Sequence, residues 1–330
     1  MKKVILLLIL GSIFFTGCGN HTQKDIINSF FKKLESNTGY FLRGSLSINN
    51  NDEIYNYSVE VHHKKDDFYK VILTNIANQH TQVILKNENG VYVLTPSLNK
   101  SFRFQSDWPY QNSQVYLLDA LFNDLKKDSS FAFEKKNNTF IFNSKVQYPN
   151  NSKLVNQRIF FNKSAIPKKV IVYDKNGAEI MVMNFEKIKF SPRLSKDDFK
   201  IEKVIDINSL EQTKEKKYLD DVIYPLFVPN GTKLVGEERL EKNGGQRVIM
   251  NYSGEKSFVL VEETVDVFND FTIIPTSGEP YQLMDTLGVM TNNSLSWSSG
   301  NIEFNIISDV MTMDEMVEVA QSITGIVSMK

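Results

Sequence analysis

The chain has 330 residues, enough for two domains of ordinary size, and its 38 basic side chains are matched by 39 acidic ones. So even a balance builds no field to recruit nucleic acid, which argues against a DNA or RNA partner. With 41% hydrophobic and 12% aromatic residues, the composition supports real cores and argues against disorder on a large scale.

Lys2 and Lys3 precede an apolar stretch from Val4 to Phe15, interrupted only by Gly11 and Ser12. This is a signal-peptide pattern, and the run is shorter than the roughly 20 apolar residues that span a bilayer core. It ends in Thr16, Gly17 and Cys18. Small residues suit the peptidase that cuts prolipoproteins, and only a cysteine thiolate is alkylated by a diacylglyceryl donor. Phe15 stands where Leu is commoner, and keeps that position apolar. The expectation is a signal peptide over 1–17, lipid attachment with palmitate-type acyl chains at Cys18, and anchoring at the extracytoplasmic face of the cell membrane. Two or three chains, at about 0.8 kcal/mol per buried CH2, hold a protein persistently. The alternative is an ordinary signal peptide cut near a lone cysteine. Cys18 is the single cysteine of the chain, so no disulfide forms within it. No second membrane segment follows.

After a polar tether over 18–24, Ile26, Ile27, Phe30, Phe31 and Leu34 fall on one helical stripe that closes near Gly39. From Tyr40 the pattern becomes short apolar and β-branched runs between Asn, Asp, Lys and Gly clusters, as in an antiparallel meander. Strands are predicted at Tyr40 to Ile48, Ile54 to His62, Phe68 to Leu73, Thr81 to Lys86, Gly90 to Thr95 and Ser101 to Gln105. A helix follows over Gln114 to Leu125, on which Val115, Leu118, Leu121, Phe122 and Leu125 share a face. Strands resume at Phe131 to Lys135, Thr139 to Ser144, Leu154 to Phe161, Lys168 to Tyr173 and Glu179 to Phe190.

The rhythm stops in the charged stretch after Leu194, and the linker is taken as 201–223. A second domain, 224–330, opens with turns in YPLFVPNGTKLVGE. Strands are predicted at Lys233 to Gly236, Arg247 to Tyr252, Ser257 to Glu263, Ser294 to Ser298 and Asn301 to Ser308. Thr312 and Glu315 form a capping box for a final helix carrying Met313, Met316, Ala320 and Ile323, with Gly325 as its stop. The methionines suit core packing better than a promiscuous binding face.

No HExxH, GxSxG, phosphate loop or dinucleotide fingerprint is present. His62 and His63 alternate across a strand and cannot jointly ligate one metal from it; they read as solvated edge residues. His21 lies in the tether and His80 in a turn. The carboxylate pairs Asp66 with Asp67, Asp197 with Asp198 and Glu262 with Glu263 are adjacent in sequence, and no pair is singled out for glycosidase chemistry. The reading is of a protein without catalytic residues, cofactor or metal, and not an enzyme. The first domain holds more Phe, Tyr, Ile and Val than a thin one-sided meander needs. Its inward positions either fill a core or enclose an apolar ligand.

The run GVYVLTPSLNKSFRFQSDWPYQNSQVYLLDALFNDL, Gly90 to Leu125, with YSVEVHHKKDDFYKVIL before it, resembles the LolA-like sporulation lipoproteins of endospore-forming bacteria. The resemblance covers Asp25 to about Phe199. It implies an α+β fold: an incomplete antiparallel β-barrel over 25–200, of LolA/LolB type, with covering helices. Tyr224 to Gly325 is similar to a small α+β domain of uncharacterised function appended to such envelope proteins. What the resemblance implies is binding of lipid or lipoprotein acyl chains, with Phe102, Phe104, Trp108, Leu118, Leu121 and Phe122 as candidate apolar contacts, in envelope or spore assembly. An anchored chain is closer to a receptor than to a shuttle. The alternative is a protein-interaction scaffold that regulates a cell-wall enzyme at the spore membrane.

Overall fold

The structure, a computed structural model, describes residues 22–50, 53–106, 108–109, 114–128, 130–148, 152–208, 222–242, 245–264, 271–283, 286–299 and 302–328. The signal peptide, His21, Cys18 and most of its tether lie outside them, as do 209–221 of the expected linker.

Helix α1 (Gln23–Ser36) starts at Thr22, whose hydroxyl accepts from the Asp25 N–H while Asp25 accepts from the Thr22 N–H. It buries Ile26 and Phe30. A meander follows: β1 (Gly39–Asn50), β2 (Glu53–Lys64), β3 (Phe68–Asn75), β4 (Thr81–Asn87), β5 (Gly90–Thr95) and β6 (Lys100–Phe104). Then come α2 (Leu118–Lys127), β7 (Ala132–Lys136), β8 (Thr139–Lys145), β9 (Leu154–Asn162), β10 (Pro167–Asp174) and β11 (Glu179–Phe190). Helix α2 begins four residues later than predicted, because Gln114 to Leu117 form a turn closed by the Leu117 N–H on the Gln114 carbonyl.

β11 returns to pair with β1, so the strands lie in the order β6-β5-β4-β3-β2-β1-β11-β10-β9-β8-β7. The sheet is unclosed: β7 ends it on one side. It curls around its helices, since residues of β4–β6 and of β8 and β9 join α1 and α2 in one core. One source of the bend is the bulge at Arg43/Gly44, where a Cβ on Gly44 would stand 2.0 Å from the Asn184 carbonyl oxygen. The fold is the expected α+β incomplete barrel.

Residues 201–208, read as the start of the linker, form helix α3 (Ile201–Asn208), preceded by a short 3-10 turn over Lys196–Phe199. Phe199 and Val204 pack on the convex face with Phe68, Val83, Leu85, Tyr92 and Leu94. β3–β5 are therefore buried on both faces, which explains their nearly continuous apolar runs.

The second sheet is built from β12 (Thr232–Lys242), β13 (Gly245–Gly254), β14 (Phe258–Thr264), β16 (Glu279–Gln282), β17 (Leu287–Met290), β18 (Ser294–Ser299) and β19 (Ile302–Ile307). Its order is β12-β13-β14-β19-β18-β17-β16, covered by α4 (Met313–Ser328). Met316, Ala320 and Ile323 are fully buried against Met250, Leu260 and Phe304. The Thr312/Glu315 box is formed, but α4 runs through Gly325 to Ser328 and does not stop there. One strand leaves this domain: β15 (Thr272–Thr276) lies parallel to β6 and becomes the twelfth strand of the first sheet.

Candidate functional site

The two domains meet over the concave side of the first sheet. Leu287 and Val289 of β17 enter the first core, so the smaller domain plugs part of the half-barrel. The seam is held by specific polar contacts. The Gln82 carboxamide on β4 accepts the Leu287 N–H at 2.5 Å and the Thr286 hydroxyl at 3.2 Å, and donates to the Leu287 carbonyl at 3.3 Å. Lys100 Nζ meets Glu303 Oε2 at 2.7 Å with its side chain 8% exposed. Ser106 Oγ donates to Glu279, and Ser152 to Asp314 at 2.5 Å.

Helix α2 is pinned at both ends. Tyr40 on β1 accepts the Leu118 N–H at 3.2 Å and donates to Asp119 Oδ2 at 2.9 Å. Gln157 on β9 donates to Asp124 at 2.9 Å and to Ser144 at 3.2 Å. Burial and the neighbouring Asp119 carboxylate push the Tyr40 phenol well above its ordinary range.

His63 stands in the same cluster, 7% exposed and stacked on Tyr69. The reading of both histidines as solvated edge residues is corrected here: β2 lies between β1 and β3 in the interior of the sheet. His63 points inward and His62 outward to Glu60 at 2.8 Å. His63 Nδ1 faces the Phe68 carbonyl at 3.1 Å and must carry a proton there. Its Nε2 is 3.7 Å from Asp119, beyond a hydrogen bond. Burial holds its pKa down. The Tyr40, Asp119 and His63 cluster thus orients a helix.

Between barrel and plug lies a pocket of about 70 Å³. Leu46, Ile48, Ile84, Leu154 and Met181 line it from the sheet, Trp108, Val115 and Tyr116 from the approach to α2, and Pro280, Tyr281 and Leu287 from the second domain. Tyr148 and Gln282 also line it, and their Oη and Oε1 atoms are buried with no hydrogen-bond partner among the described residues. An apolar cavity of roughly 150 Å³ takes one benzene, and one water has a share of about 30 Å³ in the liquid. At about 70 Å³ the pocket is roughly half the volume that takes one benzene, too small for an acyl chain.

Of the six candidate apolar contacts, Trp108 lines this pocket. Phe104, Leu118 and Leu121 are buried core, 2%, 0% and 0% exposed. Phe102 and Phe122 are half-buried at its margin, Phe122 against the Phe31 ring at 4.3 Å between centroids. Gln82 and Lys100, which hold the seam, escape sequence reasoning. The readable signal was a polar residue at the inward phase of β4, two before Ile84. Lys86 repeats it two residues later, buried and donating to the Trp108 carbonyl at 2.6 Å.

Among the described residues no group of three or more His, Cys, Asp or Glu is arranged to hold a metal. None of the helices there is long and apolar enough to cross a membrane. Glu262 is the one acid among them with a carboxyl fully withdrawn from solvent: it accepts the Ile223 N–H at 3.1 Å, and burial pushes its pKa up to about 7.

No family model matches the chain. The sporulation protein YdcC of Bacillus subtilis (strain 168) is 37% identical over 334 residues, covering 98% of this chain and 99% of that protein. The chain belongs to the YdcC family. For this YdcC-family chain, solved structures with a similar fold include MucB in complex with MucA(peri), at 12% identity over 91% of this chain and 98% of MucB, with a TM-score of 0.33. The LolA superfamily protein NE2245 from Nitrosomonas europaea is also similar, at 12% identity over 56% of this chain and 99% of that one, TM-score 0.33. At these scores neither likeness bears on function.

Proposed function

We propose that this YdcC-family chain is a lipid-anchored extracytoplasmic scaffold that binds another protein during assembly of the spore envelope, and that it is not an enzyme. The observation that carries this reading is the filled interior. The concave face of the sheet is occupied by α1, α2 and the Leu287/Val289 plug, and the pocket at the seam, among the described residues, is about 70 Å³. A carrier of acyl chains needs a much larger apolar volume, of the order of 300 Å³ or more for a ligand site. A scaffold needs rigid surfaces, which pinned helices and a clamped seam supply.

Attachment through Cys18 keeps the protein at the outer side of its membrane, and the Bacillus subtilis relative, a sporulation protein, supports placing the work in the sporulating cell. In-cell crosslinking during sporulation tests the reading. A defined envelope protein, joined through surface positions of this chain and absent in non-sporulating cells, is expected; no specific adduct from any surface position sinks it. A second reading, capture of an acyl chain, has one observation in its favour, the mainly apolar lining of the seam pocket. It requires the plug to withdraw.

A further inference from the structure

We infer that the outer edge of β6 is a strand-acceptor site, occupied in this chain by β15, at which an extended segment of a partner protein takes the place of β15. This rests on the scaffold reading and names the surface it uses. β6 is firmly seated, with Lys100, Ser101 and Phe104 buried. β15 is not: none of its five residues is buried, and Ile273 is 42% exposed. Its pairing is parallel, while every other ladder in the described residues is antiparallel. Pro275 brings no N–H to it. Its own five residues join the sheet through a backbone register, Thr272 against Lys100 to Thr276 against Phe104, and Phe271 just before them packs on the convex-face core.

The seam does not rest on β15 alone, because Gln82 clamps Leu287 from β4 and the Lys100 side chain, on the strand beside β15, reaches Glu303. β15 can therefore exchange while the domains stay together. A surface groove of about 570 Å³ lies along the end of the β15–β6 pair, lined by Pro275, Thr276 and Ser277 on one side and by Gly90, Arg103 and Ser106 on the other. A longer extended chain running parallel to β6 would continue there. The partner chemistry is that of strand addition: an unstructured segment with aliphatic residues at alternate positions, followed by polar ones that meet the groove.

The test uses the full-length protein in detergent and a labelled peptide of the sequence FTIIPTS, residues 271–277. Hydrogen exchange should show the amides of 272–276 at least about 100-fold less protected than those of β4 and β5. The peptide should bind saturably, at least tenfold tighter when Ile273→Ser and Ile274→Ser loosen the resident strand. A Ser101→Cys/Ile273→Cys disulfide across the register should abolish binding, and its reduction should restore it. Equal protection of β15 and β4, no binding to the loosened variant at millimolar peptide, or binding indifferent to the disulfide overturns the inference. A dimer that the disulfide dissolves also overturns it, since the occupant would be a second copy. None of these outcomes touches the crosslinking test of the scaffold reading.

Discussion

The side chain of Gln82 pairs with the backbone of Leu287 as a strand neighbour would, accepting its N–H and donating to its carbonyl across the seam between the two domains. This contact sets Leu287 and Val289 into the first core and so decides how much interior remains.

Replacing Gln82 by Leu leaves the buried Leu287 N–H unsatisfied and removes its bonds at once. An unmet buried donor costs about 1–3 kcal/mol and each lost bond about 1 kcal/mol. Q82L is expected to destabilise the protein by about 2–4 kcal/mol in denaturant titration, with faster hydrogen exchange over 286–290. Exchange there unchanged from wild type would mean that the clamp does not hold the plug.

Glu262 makes the stability of the second domain depend on pH. Its folded pKa of about 7 lies above its ordinary value of 4.5. The folded state therefore holds a proton that the unfolded state lacks between those values, and stability falls as pH rises from 4.5 through 7. Above pH 7 the buried carboxylate costs about 3 kcal/mol. E262Q, which keeps an acceptor for the Ile223 N–H, is expected to gain that amount over wild type at pH 8 and to lose the advantage by pH 4.5. Parallel thermal unfolding curves of the two proteins across this range would contradict the assignment.

Cys18→Ala is expected to release the protein from the membrane fraction while leaving both domains folded. Fractionation with circular dichroism of the released protein checks both halves of the statement. Membrane association unchanged by the substitution would remove the anchor from the account.

Much of the fold was legible because local rules agreed. The strands at Gly90 to Thr95 and Glu179 to Phe190 and the capping box at Thr312 sit where residue patterns place pleated runs and a helix start. What was not legible depends on contacts distant in sequence. β15 carries Pro275 and exposed Ile273, and it is a strand only because β6 lies beside it. β17 is four residues long and buried by the other domain. Helix α4 continues through Gly325 to Ser328. The surplus of apolar residues in the first sheet left a filled core and an apolar cavity both open, and for β3–β5 part of it is explained by Phe199 and Val204, which cover their other face. Composition counts buried surface without saying which side it is buried on.

Native mass spectrometry of the full-length protein, extracted from membranes in mild detergent, tests the filled half-barrel most directly. The expected mass is that of the chain from Cys18 with its covalent acyl groups and nothing more. A stoichiometric non-covalent lipid, retained by the wild type and lost when Leu46→Trp fills the seam pocket, would contradict the scaffold reading and restore the acyl-chain binder.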